Sequence, residues 1–145
     1  EEGLVARAIG RAWLRWRVAC EDQLAAVWRH EEAIVTGAEA APAPHAFIDR
    51  LARSWLAVAD RLRRVDGRWS LDPRARPAAE MIVRSHRLWE AWLGRHADLP
   101  VDHLHPPAEW LEHYVGAAMR DQIEAELSAG QVDPHGRTIP PEAAG

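Results

Sequence analysis

The sequence predicts a mainly α-helical chain that carries one small β-hairpin. Two observations predict it. Apolar residues recur at three- and four-residue intervals through most of the 145 positions, the spacing of a helix with one buried face. A single Asp66-Gly67 pair sits between two short β-capable runs, and Asp-Gly in that setting is a strong signal for a two-residue hairpin turn. The composition, 48% hydrophobic and 28% charged, is that of a globular chain of one domain or two very small ones. A chain of this length buries only about two-thirds of its unfolded surface, so self-association would help it.

Residues 3–35 read as a long helix, with Val5, Ile9, Trp13, Trp16, Cys20, Leu24, Val27, Trp28 and Ile34 at helical spacing. Residues 37–44, rich in Ala, Pro and Gly, read as a loop. A second helical stretch spans 45–65, with Phe47, Leu51, Trp55, Val58, Ala59 and Leu62 on one side and room for a break near Arg53 and Ser54. Overlapping its end, 63–71 reads as a two-stranded wing closed by Asp72-Pro73. Pro77, tolerated in a first turn, opens a helix to about Ala97 with Met81, Ile82, Leu88, Trp89, Trp92 and Leu93 apolar. After a loop over 98–107, a last helix covers 107–128, with Trp110, Leu111, Tyr114, Val115, Ala118, Met119, Ile123 and Leu127. Gly130 can terminate it, and 131–145 is loop-like. Most of the eight Trp, lying on apolar faces, are expected in the core.

Composition also excludes. Cys20 is the only cysteine, which rules out a disulfide framework and a Cys-x-x-Cys zinc site and fits a reducing compartment. No apolar run approaches the ~18 residues that span a bilayer, and no signal peptide is visible. The chain opens on Glu1 rather than Met, as a piece of a longer protein would. All 18 basic residues are Arg, a compositional bias rather than a functional signal. Residues 1–77 hold 13 Arg against 11 acids, and residues 78–145 hold 5 Arg against 11 acids and six of the eight His. The acidic, His-rich half suits cations; the slight excess of Arg in the other half is small for a nucleic-acid surface.

Glu109, Glu112 and His113 stand at i, i+3 and i+4 on one helix face, His86 and Glu90 at i, i+4 on the preceding helix, and His103 and His105 in the loop between. Two readings fit these residues: a solvated face, or oxygen and imidazole donors converging on a divalent cation. Metal-assisted hydrolysis needs such donors too, but no nucleophile motif, phosphate loop or HExxH accompanies them. An enzyme is therefore not expected.

The residues Val83-Arg84-Ser85-His86-Arg87-Leu88-Trp89-Glu90, Ala97-Asp98-Leu99-Pro100, His105, Glu109-Trp110-Leu111-Glu112-His113 and Asp133-Pro134-His135-Gly136-Arg137-Thr138-Ile139-Pro140 follow one another in an order and spacing that resembles the diphtheria toxin repressor and manganese transport regulator family (DtxR/MntR). The resemblance is densest over 78–140. Residues 21–32 look like the family's first helix, and 63–73 like its wing. The resemblance implies a winged helix-turn-helix, here degenerate, followed by a helical dimerisation and metal-binding domain. The expected division is 1–18 basic linker helix, 19–77 winged-helix-like domain, 78–130 dimerisation and metal-binding helices, 131–145 tail.

It also implies a ligand set: Asp22 near the N-terminus, His86, Glu90, His105, Glu109, Glu112 and His113. Glu109 and Asp22 stand where iron-type members place sulfur ligands, as in manganese-type members. Ala25 stands where a second N-terminal carboxylate would be. Carboxylates favour harder cations, so Mn²⁺ leads, with Fe²⁺ beside it and Zn²⁺ as a further candidate. The implied assembly is a homodimer. The region expected to read DNA carries Ala-Pro-Ala-Pro and then Trp55, Leu56 and Val58, with few side chains suited to base edges. Arg53, Arg61, Arg63, Arg64 and Arg68 remain as candidates for phosphate contact. The leading helix, with Arg7, Arg11, Arg15 and Arg17, is similar to the junction in metal ABC importers whose permease carries such a module as a cytoplasmic tail. A basic segment just inside a membrane also follows the positive-inside rule. The expected function is thus a metal-sensing dimeric regulatory domain in the cytoplasm, tethered to a permease; the alternative is a free-standing metal-dependent repressor.

Overall fold

A computed structural model describes residues 2–37, 47–97, 100, 104, 108, 117–127 and 132–141, without the side chains of 2, 4, 5 and 117. The elements run α1 (Glu2–Thr36), α2 (Phe47–Val58), β1 (Leu62–Val65), β2 (Arg68–Leu71), α3 (Arg76–His96) and α4 (Ala117–Leu127). The chain divides into two compact units, Glu1–Ala79 and Glu80–Gly145. The class is the expected one, mainly helical with one antiparallel hairpin.

In the first unit, α1 begins its buried face at Ala19 and continues it through Gln23, Leu24, Ala25, Val27 and Ala33. Of the expected apolar stripe, Ile9, Trp13 and Ile34 are exposed. The 3.6-residue period was real, but α1 outruns the elements available to cover it. Gly37, at φ 70°, ends the helix in the left-handed conformation that suits glycine.

Helix α2 is unbroken at Arg53–Ser54 and stops at Val58, short of the 65 expected. Its end has a physical cause. Asp60 takes φ 53°, and the Arg61 amide donates to the Leu56 carbonyl at 2.8 Å, the closing bond of a left-handed helix cap. The hairpin follows. Asp66 and Gly67 both have positive φ, 50° and 76°, as a type I′ turn requires, and the register pairs Val65 with Arg68 and Leu62 with Leu71. Glu31 of α1 fastens the hairpin: its Oε1 accepts from Ser70 Oγ at 2.7 Å and from the Leu71 amide at 2.9 Å. Its Oε2 takes Arg76 at 2.5 Å.

In the second unit, Leu88, Trp89, Ala91, Ala108, Ile123 and Leu127 form the core, with Trp92, Leu93 and Ile139 packed against it. Polar bonds tie α3 to α4. Arg120 donates to Ser85 Oγ at 3.1 Å, Trp92 to Glu126 at 3.1 Å, and Arg84 meets Glu124. Of the last helix expected over 107–128, the described part is α4 together with Ala108. Among the Trp, Trp89 is buried, while Trp13 and Trp55 are exposed and Trp16, Trp28, Trp69 and Trp92 are half-buried. The expectation that most are core residues is therefore too generous; Trp110 lies outside the described residues.

Candidate metal centre

His86 and Glu90 lie one turn apart on α3, which directs both to the same side. Their relative exposures are 3% and 2%, and His86 Nε2 stands 3.2 Å from Glu90 Oε1. A second imidazole approaches the same oxygen: His135 Nε2, at 3.8 Å. A carboxylate so deeply buried is costly unless cationic or proton-bearing groups face it. Glu90 has two imidazoles facing it, a mixed nitrogen and oxygen donor set of the kind borderline divalent cations take.

His135 is placed by a tight loop. Val132 and Thr138 form an isolated bridge. Asp133 Oδ1 accepts the amides of His135 and Arg137 at 2.9 and 2.8 Å, and Gly136 turns the chain at φ 78°. Two arginines of α3 fasten the loop from below. Arg87 donates to the Thr138 carbonyl at 2.5 Å and lies 3.8 Å from Asp133 Oδ2; Arg84 donates to the Pro140 carbonyl. Gly94 leaves room for the loop: a Cβ there would come within 3.2 Å of Pro134. Sequence reasoning used Asp133–Pro140 as a signature and left His135 out of the ligand set. The available signal was a histidine in a Pro-His-Gly turn, which fixes an imidazole at a bend.

Asp22 is half-buried on α1, and Ala25, three residues on, is buried at 1%. His105, Glu109, Glu112 and His113 lie outside the described residues. Among the described residues, no group of three or more His, Cys, Asp or Glu side chains is placed to hold a metal ion: Glu90 pairs with His86 at 3.2 Å, and His135 stands off at 3.8 Å. His96 is engaged elsewhere. Its Nδ1 is 2.9 Å from the Trp92 carbonyl, and its Nε2 is 2.8 Å from Glu126.

The five candidate phosphate contacts differ among themselves. Arg53 is half-buried and donates to Gln23 Oε1 at 2.8 Å, a link between α1 and α2. Arg64 lies over the Trp69 ring at 4.9 Å. Arg61, Arg63 and Arg68 are exposed at the end of α2 and on the hairpin.

Residues 72–141 match the family model of the iron-dependent repressor metal-binding and dimerisation domain. Over 72 residues the chain is 35% identical to a probable metal transport system membrane protein of Chlamydia trachomatis, covering 50% of this chain and 16% of that protein. A manganese-dependent transcriptional repressor in complex with manganese superposes with a TM-score of 0.68 at 29% identity, over 84% of this chain and 58% of that one. The manganese regulator SloR superposes with a TM-score of 0.65 at 25% identity, over 86% and 60%. The chain thus spans about 60% of these regulators and a sixth of the membrane protein. The matched family is that of an iron-dependent repressor, and the two solved structures are those of manganese regulators.

Proposed function

Because this chain belongs to the DtxR/MntR family, whose metal-binding and dimerisation domain residues 72–141 match, we propose that it is a divalent-metal-sensing, homodimeric regulatory domain. The observation that carries this is the buried Glu90 carboxylate facing His86 and His135. The ligands are drawn from His86, Glu90, His105, Glu109, Glu112 and His113, with Asp22 on α1, and His135 joins them. A bound cation supplies positive charge that lets these carboxylates lie together. The carboxylate-rich set favours Mn²⁺ or Fe²⁺, with Zn²⁺ a weaker fit. Metal that binds one arrangement of the chain better than another shifts the population by that difference; a hundredfold preference is ~2.7 kcal/mol.

The finer reading is the cytoplasmic tail of a metal ABC transporter permease, gating import by metal on the cytoplasmic face. The match to a metal transport membrane protein supports it. The second reading, a free-standing repressor, is favoured by the similarity to a transcriptional repressor over most of the chain. Against it stands the outward face of α2, which presents Trp55 and Val58 where base reading calls for polar side chains. Titration calorimetry with Mn²⁺ tests the metal reading. Glu90→Ala and Glu109→Ala should each lower affinity by about tenfold or more, and His96→Ala should leave it unchanged; equal losses in all three would remove the assignment. Mobility shift on duplex DNA separates the two outputs. A metal-dependent footprint on a defined palindrome that survives about 0.2 M salt would put the repressor first.

A further inference from the structure

Helix α2 carries its large apolar residues on the outside. At ~100° per residue, Phe47, Leu51, Trp55 and Val58 fall within an arc of ~80°, and their exposures are 68%, 46%, 55% and 79%. The side that α2 buries holds Asp49, Ala52 and Leu56 instead. Contiguous exposed apolar surface on a small protein marks a place where something docks. Charge narrows what that is. Arg50 reaches over the Phe47 ring, 6.0 Å from its centre, and Ser54 borders the stripe. The left-handed cap at Asp60 then leads directly into the hairpin with its exposed Arg61, Arg63, Arg64 and Arg68. Residues 47–71 contain six Arg against three Asp; Asp49 is buried and Arg53 is turned to Gln23 of α1, which leaves five Arg against two Asp for the outside.

A second copy docked on this face would set arginine against arginine. A nucleic acid would satisfy the arginines but leave Phe47, Trp55 and Val58 against phosphates. An anionic lipid surface suits both halves of the pattern. Aromatic and aliphatic side chains enter the boundary between headgroups and acyl chains, and arginines meet the phosphates. The geometry points to α2 and the β1–β2 hairpin as a peripheral docking surface for an anionic phospholipid bilayer. No described helix is long and apolar enough to cross a membrane, so the contact is interfacial. This surface goes beyond the metal reading and needs no metal, so the two stand or fall separately.

The test is sedimentation of the full chain, in chelator, with phosphatidylcholine vesicles that contain or lack phosphatidylglycerol. The chain should partition onto the phosphatidylglycerol vesicles alone. Trp55→Glu and Leu51→Glu, both at exposed positions, should each cut partitioning by about tenfold, and Arg63→Glu with Arg64→Glu by a similar factor. Met119→Glu, at an exposed position of α4, should change nothing. Circular dichroism confirms that each variant is folded. The inference is overturned if the wild type stays in the supernatant, if both folded apolar variants partition unchanged, or if Met119→Glu loses as much. It is also overturned if Trp55→Glu abolishes self-association or duplex binding in a chain that ignores vesicles.

Discussion

Replacing Glu31 with alanine removes the carboxylate that ties the hairpin to α1, and the consequence can be sized from its three partners. Ser70 Oγ is half-buried and can turn toward water, so that bond contributes about 1 kcal/mol. The Leu71 amide belongs to a residue only 2% exposed, and leaving a buried donor unmet costs about 1–3 kcal/mol. Arg76 is 45% exposed, and a pair so open to solvent contributes about 0–1 kcal/mol. The expected loss is about 3 kcal/mol, confined to the hairpin. Glu31→Gln keeps an oxygen for Leu71 and surrenders the charge and the acceptor for Arg76, for about 1 kcal/mol. pH discriminates further. Burial works to raise the Glu31 carboxyl, but the hydrogen bonds from Ser70 and the Leu71 amide, and then Arg76, hold it below its usual value. A carboxyl depressed in the folded state stabilises above its unfolded pKa, and that contribution is lost as pH falls through the folded one. The gap between wild type and Glu31→Gln should therefore be constant near neutrality and close in acid. Native-state amide exchange of residues 62–71 reads the local opening free energy directly. A change under about 0.5 kcal/mol for Glu31→Ala, or equal effects of Ala and Gln at neutral pH, would refute the reasoning.

Asp133→Ala should destabilise the second unit by about 3 kcal/mol in denaturant titration, because it strips two amides of their acceptor and removes a carboxylate 3.8 Å from the buried Arg87; Asp133→Asn should recover part of that. Gly94→Val should displace the Pro134 side of the loop, at about 1–3 kcal/mol, and weaken Mn²⁺ binding through His135 although Gly94 has no ligand atom. Unchanged affinity in a destabilised Gly94→Val would exclude His135 from the site. Light scattering of the Mn²⁺-loaded chain at micromolar concentration should give twice the monomer mass, and a monomer with and without metal would count against the dimer.

How far the sequence could be read depended on what each signal measures. Asp66-Gly67 demanded two positive φ angles, a local requirement, and the type I′ turn is there. Helical periodicity told where α1 and α3 run, because apolar spacing reflects a helix having sides. It could not tell which side is covered. Phe47, Leu51, Trp55 and Val58 share a face of α2 as expected, yet that face is outward, because the inner side is filled by the small Ala52 with Leu56 and Asp49. The end of α2 was missed for a different reason: the cap at Asp60 uses an aspartate in a conformation more often taken by glycine. His86 and Glu90 could be paired from their i, i+4 spacing. The approach of His135 to Glu90 could not, since it depends on Arg84 and Arg87 fastening a loop some fifty residues away along the chain.

That loop also sets a schedule for how the protein comes into being. Glu90 and His135 are separated by 45 residues, and at ~5–20 residues per second of synthesis the first leaves the ribosome about 2–9 s before the second. During that interval α3 already carries its carboxylate and its two arginines, with their later partners still unmade. Closing so long a loop is slow compared with winding a helix. The second unit thus completes its buried polar cluster last, after its helices, and a ribosome that stalls before Val132 releases a chain with α3 and Glu124 but without the loop carbonyls of Thr138 and Pro140 that Arg87 and Arg84 hold. Such a product would expose buried charge to the cell's proteases, which would sort finished chains from unfinished ones before either could meet a metal ion.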